Sequence, residues 1–387
     1  MSKKKIILIH HLAARENARP NQIAKYLAKM DIEVHLILWD VPYPIKLFRK
    51  NLFNSLKYKR YKVDGEVVVH KIRRLPFFCP FINKWLFHRQ IRDIFKKEKI
   101  DVIISESYIN EMDPPAELPM IFSLVDDFES YAEFYGSTLY KLVFRILEVR
   151  KTIENQIKRA KSVIVVSDLL KKYANQYNDK VFKITNGVES WVLEKKYKKN
   201  KYDFGRHSLI YVSGFDYWSN LPDALYALSE VKKNIPDIKL ILVGDGSQIP
   251  EGKILTKQLN LEDNVMFFGP LADRVKLFEI VNACEICLNL SEKNKRGDAA
   301  SPIKVFEYTA LGKIIISTRL REVEVLNFPN IIYYQDKSKK SLVDAINKSF
   351  TVKADEKKIK KLAIDYTWEN IAKKFAEVID STIKDLN

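Results

Sequence analysis

The chain has 387 residues, of which 47% are apolar, and a formal net charge of +17 at pH 7. This length predicts two domains, and the apolar content excludes an intrinsically disordered chain. The sequence lacks a run of about 18 apolar residues that would predict a transmembrane helix, and its N-terminus becomes charged too soon for a signal peptide, so we expect a cytoplasmic protein.

The first half of the chain alternates short apolar runs with amphipathic segments, which favours a parallel sheet with helices. We predict strands at Lys5–His10, Glu33–Trp39, Val67–Ile72, Val102–Ser105, Met120–Ser123, Ser162–Val166 and Val181–Ile184, and helices at Pro20–Lys29, Lys84–Lys97, Leu139–Arg159 and Leu169–Tyr177. Asn186-Gly187 then predicts a turn, and the lysine-rich stretch after it is typical of a solvated connector.

A second alternating series follows the connector and indicates a second α/β domain. We predict strands at Leu209–Ser213, Lys239–Val243, Asn264–Phe268 and Glu285–Leu290, and helices at Leu221–Asn234 and Arg274–Val281. Thr367 can cap a final amphipathic helix. We therefore place a first domain at 1–186, a linker at 187–205, a second domain at 206–365 and a terminal helix at 366–387.

A polar loop, a short helix and a strand are predicted between Asn289 and Ser317, which read NLSEKNKRGDAASPIKVFEYTALGKIIIS. Ser301 is expected to cap a helix that starts at Pro302 and ends before Gly312. Lys304 and Glu307 are three residues apart and therefore share a face. A lysine and free N–H groups at a helix start suit a phosphate, although a plain surface ion pair explains the same spacing.

The segment SPIKVFEYTALGKIII resembles the donor-site motif of GT-B glycosyltransferases, close to glycosyltransferase family 4, in the variant S-P-x-K-x-F-E-Y-x-A-x-G-K. The segments LVGDG and FFGPL resemble further landmarks of that family. The resemblance implies two Rossmann-like doubly wound domains facing across a cleft, with the terminal helix crossing back to the first domain. The common family pattern has a second glutamate at the position of Ala299, so the stereochemical outcome stays open.

The resemblance also implies a donor site that binds a nucleoside diphosphate sugar through the second domain. Glu307 would bind the ribose, and Lys304 with the helix start would bind the diphosphate and stabilise its charge as it leaves. The family's usual arginine and lysine after the first strand are missing here. The expected donor-binding residues are Ser213, Gly214, Asn220, Arg296, Ser301, Pro302, Ile303, Lys304 and Glu307. Without a D-x-D triplet, we predict no metal and no cofactor beyond the co-substrate.

Acceptor residues are expected at the carboxyl ends of the first domain's strands. Asp126 would act as the general base of an inverting enzyme, or would orient the acceptor in a retaining one, and Asp127 is the fallback. A turn carboxylate is the competing structural interpretation. His11 is a candidate contact, His10 is the weaker one, and Glu106 is expected to face the cleft.

Thirteen Lys and Arg residues lie between Lys46 and Arg92, interleaved with aromatic residues and leucines. This pattern is typical of an anionic membrane surface, although ordinary core aromatics with solvated lysines, or a nucleic-acid surface, would give a similar composition. No nucleic-acid-binding motif is present, so we predict no nucleic-acid partner.

We therefore predict a metal-independent glycosyltransferase that acts on a lipid-linked or cell-surface glycan acceptor. Two alternatives remain at this stage: a GT-B nucleotide-sugar epimerase, and a catalytically silent, membrane-associated partner in a glycan-assembly complex.

Overall fold

The computed structural model describes residues 3–10, 19–38, 58–63, 66–73, 75, 80–127, 149–197 and 202–386, and the following statements concern these residues. The chain divides into two compact units. Unit 1 comprises residues 1–186 and 368–387, and unit 2 comprises residues 187–367. Each unit contains one predominantly parallel sheet combined with helices, which confirms the predicted fold class.

Unit 1 contains an eight-stranded sheet with the order β3-β4-β2-β1-β5-β6-β7-β8. Its elements are β1 Lys4–His10, α1 Arg19–Ala28, β2 Ile32–Leu38, β3 Lys59–Val63, β4 Val67–Lys71, α2 Pro80–Glu98, β5 Val102–Ser105, a 3-10 turn Asn110–Met112, β6 Met120–Leu124, α3 Val149–Arg159, β7 Ser162–Val165, α4 Asp168–Ala174 and β8 Val181–Lys183.

Strand β1 lies in the middle of this sheet, parallel to β2 on one side and to β5 on the other. Its apolar run, Ile6–Ile9, is completely buried because both faces of a parallel sheet are covered. The chain moves outward from β1 in one direction through β2 and in the other through β5, so the sheet has a switch point there.

Strand β3 was not predicted from the sequence. It pairs antiparallel with β4 at the edge of the sheet, and all five of its residues are exposed. A strand that buries neither face shows no apolar alternation, which is the signal that sequence analysis requires.

Unit 2 contains a six-stranded parallel sheet with the order β11-β10-β9-β12-β13-β14. Its elements are α5 Ser190–Glu194, β9 Ser208–Val212, α6 Leu221–Lys232, β10 Lys239–Val243, α7 Ile249–Gln258, β11 Val265–Gly269, α8 Arg274–Ala283, β12 Ile286–Asn289, α9 Lys295–Ala299, α10 Ile303–Ala310, β13 Ile314–Thr318, α11 Arg321–Leu326, β14 Ile331–Tyr334, α12 Lys339–Ser349, α13 Glu356–Leu362 and a 3-10 turn Ile364–Tyr366.

The last helix, α14 (Trp368–Lys384), belongs to unit 1 although unit 2 precedes it in the chain. Its buried face includes Phe375, whose ring lies 5.3 Å from the guanidinium carbon of Arg19. Near its end, the hydroxyl of Thr382 lies 2.9 Å from that of Ser162 on β7. The predicted return of the terminal helix to the first domain is therefore confirmed.

The prediction of a solvated linker at 187–205 is wrong for the residues that the structure describes there. Helix α5 buries Val192 completely, and the ring of Trp191 packs edge-on against Phe278 with centroids 5.4 Å apart. Val188 and Phe204 belong to the same apolar core of unit 2. Sequence analysis missed this amphipathic pattern because the stretch is rich in lysine, and only every third or fourth residue of such a helix faces the core.

Other helices of unit 2 were missed or misplaced by sequence analysis. Pro250 and Gly252 concealed α7, yet Pro250 occupies its first turn and Gly252 allows close packing. A Cβ at Gly252 would lie 2.8 Å from a methyl carbon of Leu221 on α6. The expected polar loop after β12 contains α9, whose first turn is capped by Asn294.

Candidate active site

The second sheet has its switch point between β9 and β12, where strand order reverses. In open α/β sheets, ligands bind beside the carboxyl ends of the strands at such a point. The segment 213–220 follows β9, and the segment 290–302 follows β12 and leads into α10. These two segments and the first two turns of α10 contain every donor-binding residue predicted from the sequence.

Lys304 in the first turn of α10 reaches across this switch point. Its Nζ donates to the hydroxyl of Ser213 at 3.3 Å and lies 5.0 Å from the ring centroid of Tyr211. Burial lowers the pKa of Lys304 to about 8, although the nearby carboxylate of Glu307 raises it. The structure thus brings together a lysine and a serine that are 91 residues apart in sequence.

Glu307 lies one turn further along α10 and is 6% exposed. Its Oε1 accepts a hydrogen bond from Nη2 of Arg274, the first residue of α8. Arg274 also lies 3.6 Å, Nε to Oε2, from Glu189 and 4.5 Å from the ring centroid of Phe278. Burial alone would lower the pKa of Arg274, but Glu307 and Glu189 raise it above its usual value, so the guanidinium stays charged.

The start of α10 differs from the sequence prediction. Pro302 is the N-cap and Ile303 the first helical residue, so Ser301 does not cap the helix. Pro302 takes an extended conformation with ψ of 112°, which places the helix boundary one residue later than expected. Because a proline side chain cannot accept a hydrogen bond, no N-cap side chain covers the first-turn N–H groups. Ser301 itself is 6% exposed.

The segment after β9 carries the other predicted donor contacts. A Cβ on Gly214 would meet no atom within 4 Å, so this glycine borders open space. Asn220 adopts a left-handed conformation with φ of 46° and donates from its amide to Asp336 at 2.8 Å. Among these residues, Ser213 contacts Lys304, whereas the amide of Asn220 is held by a structural partner.

Two glycines after β10 determine the shape of the segment after β9. Gly244 has φ of 139°, and a Cβ there would lie 1.8 Å from the carbonyl oxygen of Ser213. Gly246 has φ of 158°, and its Cβ would lie 2.4 Å from the carbonyl oxygen of Phe215. The N–H of Phe215 in turn donates to the carbonyl of Asp245 at 2.9 Å. The two segments therefore pack backbone against backbone.

Arg296 and its neighbours form α9 rather than an irregular loop. The guanidinium carbon of Arg296 lies 4.1 Å from the ring centroid of Trp218, so the side chain stacks on the segment after β9. Ala299 is completely buried, and the adjacent Asp298 accepts from the backbone N–H of Arg321 at 2.9 Å. Asp298 therefore satisfies the first N–H group of α11, which is a structural contact.

The predicted acceptor residues lie in unit 1. Asp126 and Asp127 follow β6; Asp126 is half-buried, Asp127 is 8% exposed, and the N–H of Asp127 donates to Asp126 Oδ1 at 2.9 Å. His10 ends β1, and burial lowers its pKa to about 4, so it is neutral at pH 7. His11 lies outside the described residues.

Glu106 is buried inside unit 1, which contradicts its expected position facing a cleft. Its Oε1 accepts from Ser123 at 2.7 Å and from Nε of Arg19 at 3.3 Å. Burial raises the pKa of Glu106, while Arg19 and Ser123 oppose the shift. Arg19 also donates to the carbonyls of Ile184 and Thr185. The pair therefore ties α1 and β5 to the end of β8, which is a structural role.

Arg274 and Arg19 were missed as functional or organising residues. Sequence analysis placed Arg274 at a helix start and Arg19 beside another. Their carboxylate partners are 33 and 87 residues away, respectively. A single sequence gives no signal for pairs at such separation. The local clue is that Arg274 follows the helix cap Asp273 and therefore lies where a strand connects to a helix.

Two domain families match the chain. Residues 21–190 match Glycosyltransferase Family 4, and residues 194–366 match Glycosyl transferases group 1. The crystal structure of HepE from Anabaena in complex with UDP and glucose has the same fold, with a TM-score of 0.67 over 98% of this chain and 100% of that one at 16% identity. The chain thus has the fold of GT-B glycosyltransferases, and its two halves match two glycosyltransferase domain families. Within that class it resembles family 4, as the sequence motif predicted.

Curated relatives match parts of the chain. The alpha-monoglucosyldiacylglycerol synthase of Streptococcus pneumoniae is 23% identical over 55% of this chain and 52% of its own length. The N-acetyl-alpha-D-glucosaminyl L-malate synthase of Bacillus anthracis is 31% identical over 33% of this chain and 30% of its own length. The chain therefore spans about half the length of the first relative and under a third of the second.

Proposed function

We propose that the chain transfers a sugar from a nucleoside diphosphate sugar to a lipid-linked or cell-surface glycan acceptor, without a metal ion at the donor site. The observation that carries this proposal is the arrangement at the switch point of unit 2. There, Lys304 on α10 contacts Ser213 after β9, and Glu307 lies one turn away on the same helix.

In this proposal, Lys304 stabilises the charge of the diphosphate as it leaves the sugar. A half-buried lysine is suited to this task because a cation in a poorly solvated position interacts strongly with an anion. The first-turn N–H groups of Ile303 and Lys304 lie at the positive end of the helix dipole, where an anion is stabilised. Glu307 accepts hydrogen bonds from the ribose, and the hydrogen bond from Arg274 fixes the orientation of its carboxylate.

Asp126 is the proposed acceptor residue, with Asp127 as its neighbour. In an inverting reaction, Asp126 removes the proton of the acceptor hydroxyl while that oxygen attacks the anomeric carbon. In a retaining reaction, the leaving phosphate takes the proton, and Asp126 orients the acceptor. The pairing of UDP with glucose in the HepE structure makes a UDP-sugar the first donor to test.

The proposed lipid-linked acceptor is supported by the exposed apolar surface of unit 1. In the first turns of α2, Phe81 is 88% exposed, Trp85 56% and Ile82 51%. The guanidinium carbon of Arg89 lies 5.7 Å from the Trp85 ring centroid, which places a cation beside these apolar groups. Rings and a cation at one helix end match an anionic bilayer, where apolar groups enter the interface and cations meet phosphates.

We therefore propose that α2 docks on the membrane in which the acceptor is anchored. The name of the pneumococcal relative, which specifies a glucosyl lipid, supports this choice, whereas the malate synthase relative points to a small water-soluble acceptor. Among the described helices, none combines the length and apolar content that crossing a bilayer requires. Residues 46–57 of the predicted basic surface lie outside the described part of the chain.

Vesicle co-sedimentation tests the docking surface. The double variant Phe81→Ala/Trp85→Ala should reduce binding to vesicles containing phosphatidylglycerol by about tenfold or more, because each ring contributes on the order of 1–3 kcal/mol of apolar burial. Ile254→Ala removes an exposed apolar side chain of unit 2, 59% exposed, and should leave binding unchanged. Equal binding by the double variant and the wild type would contradict the docking proposal and favour a soluble acceptor.

Product analysis with a panel of nucleoside diphosphate sugars tests the activity. A glycoside formed from one donor and a lipid acceptor, and lost in Lys304→Ala, would support transfer. Conversion of the donor sugar without an acceptor would instead establish an epimerase. Absence of any turnover together with absence of nucleotide binding would favour the silent partner.

A further inference from the structure

A cluster of buried ionisable side chains lies at the β2–β4 edge of the sheet of unit 1. His35 on β2 and His70 on β4 are both completely buried, and their rings stack with centroids 5.1 Å apart. His35 Nδ1 lies 2.8 Å from His70 Nε2, and His70 Nδ1 lies 2.7 Å from the hydroxyl of Tyr58. On its other side, His35 Nε2 lies 2.9 Å from Oε1 of Glu33. Both rings are thus fixed at both nitrogens.

Glu98, the last residue of α2, completes a potential ligand set. One ligand atom from each of Glu33, His35 and Glu98 lies within 4.8 Å of the other two. The side chains are 27%, 0% and 13% exposed, respectively, so the group lies just below the surface. We propose that these three residues bind one divalent transition-metal ion, such as Zn²⁺, through Glu33 Oε1, His35 Nε2 and a carboxylate oxygen of Glu98.

The chemistry of the three ligands supports this choice of ion. One imidazole and two carboxylates are nitrogen and oxygen ligands that Zn²⁺ accepts, and water can complete a four-coordinate sphere. The two carboxylates carry the charge that a divalent cation balances. All three ligands belong to unit 1, whereas the proposed donor residues belong to unit 2, so this ion would be structural and would leave the metal-independent transfer proposal unaffected.

The residues behind His35 form the outer shell that a metal-bound histidine needs. Such a histidine usually donates its second N–H to an acceptor. Here the His35 Nδ1–H group would donate to His70 Nε2, and the His70 Nδ1–H group would donate to the oxygen of Tyr58, which is 39% exposed and can donate to water. Without the ion, the same chain runs in the reverse direction, from Tyr58 through both rings to Glu33.

Ion binding therefore requires a change of tautomer in both rings, while the hydrogen bonds between them are kept in the reversed direction.

One lysine and one arginine contact the same carboxylates, and each would share its carboxylate with the ion. Lys5 Nζ lies 3.1 Å from Glu33 Oε2, and Arg60 Nη2 lies 3.3 Å from Glu98 Oε2. In Glu33, the oxygen that faces Lys5 is not the one that faces His35. Both cations are partly exposed and can turn towards solvent. The ion would then connect β2 directly to the C-terminal end of α2.

Zn²⁺ titration of the chelator-treated full-length protein tests this proposal. Calorimetry should find one tight site per chain, and Zn²⁺ at about a hundred times its dissociation constant should raise the melting temperature by about 5 °C. Glu98→Gln keeps the side-chain volume but removes a charged ligand, so it should weaken the binding of Zn²⁺ at least about tenfold. Because Glu98 is not fully buried, this variant should still fold, unlike replacements of His35.

The matched control is His207→Asn, which removes a different, exposed His–Asp pair with Nδ1 2.9 Å from Asp237. It should bind Zn²⁺ as the wild type does. Wild-type protein without a tight site, unchanged affinity in Glu98→Gln, or loss of the site in His207→Asn would each overturn the proposal. The readout is metal binding, so its failure is distinct from failure of the transferase proposal.

Discussion

The protonation of Lys304 should make nucleotide affinity at the candidate donor site depend on pH. Its pKa, lowered to about 8 by burial, means that the side chain is cationic at pH 7 and loses its proton as the pH rises through 8. A bound diphosphate favours the protonated form, so nucleotide affinity should be constant below about pH 8 and fall by up to about tenfold per pH unit above it.

Calorimetric titration of UDP between pH 6.5 and 9.5 checks this expectation. Lys304→Arg keeps a positive charge throughout this range and should abolish the decline. Lys253→Arg, at an exposed lysine of α7, serves as the control and should retain it. A wild-type affinity that does not change with pH, or a decline that persists in Lys304→Arg, would contradict the role of Lys304.

Arg274 is expected to hold the carboxylate of Glu307 in position for the ribose. In Arg274→Ala, this nearly buried carboxylate would lose its charged hydrogen-bond partner. Calorimetric titration should find nucleotide binding weakened by about tenfold, because a hydrogen bond to a charged group contributes about 1.5–3 kcal/mol. Arg274→Lys should restore part of the affinity.

The control for Arg274 is Arg319→Ala. Arg319 pairs with Glu324 at 2.8 Å, but this pair is largely exposed, so its loss should change nucleotide affinity little. If Arg274→Ala binds nucleotide with the wild-type affinity, then Arg274 is only a packing residue.

At this scale, sequence analysis succeeded where the signal was local. Lys304 and Glu307 stand three residues apart in one motif, and their common helix follows from Pro302 and Gly312. Whether they contact Ser213 or Arg274 depends on how strands and helices pack, and no spacing in a single sequence encodes that. The same reason explains the error at Glu106, whose position after β5 was predicted correctly but whose buried partner, Arg19, was not.

At the scale of the elements, the turn after β10 has no room for a side chain at its first glycine. Gly244→Ala would place a methyl group 1.8 Å from the Ser213 carbonyl oxygen at a backbone φ of 139°, so the segment after β9 would have to move. We expect a loss of about 1–3 kcal/mol in the free energy of unfolding and weaker nucleotide binding, because Ser213 would be displaced.

Urea unfolding monitored by circular dichroism measures that loss. Gly214→Ala is the stability control, because its Cβ would meet no atom within 4 Å, and it should unfold at nearly the wild-type urea concentration. Equal stability of Gly244→Ala and the wild type would show that the turn can relax.

Element prediction followed the apolar signal. Strands such as β5 and β10 were predicted to the residue, because they contain three and four consecutive apolar residues, respectively, that the sheet buries on both faces. The exposed edge strand β3 and the helix α7 were missed, because the first buries nothing and the second contains a proline and a glycine that usually mark turns.

For the whole molecule, the two-sheet architecture followed from the repeated alternation of strands and helices, and the return of α14 to unit 1 followed from the family resemblance. The prediction of a linker was wrong because a lysine-rich composition indicates solvent exposure but does not show which face of a helix packs against the core. The match of both domain families to successive halves of the chain agrees with this division of the fold.

The most direct test of the central claim is thermal melting of the purified protein with UDP, GDP, ADP, CMP and dTDP. The proposed donor site predicts one selective rise in melting temperature, because a nucleotide at a hundred times its dissociation constant adds about 2.7 kcal/mol of stability. That rise should disappear in Glu307→Ala and shrink in the conservative Glu307→Gln. No rise with any nucleotide, or a rise that survives in both variants, would contradict the assignment of the donor site.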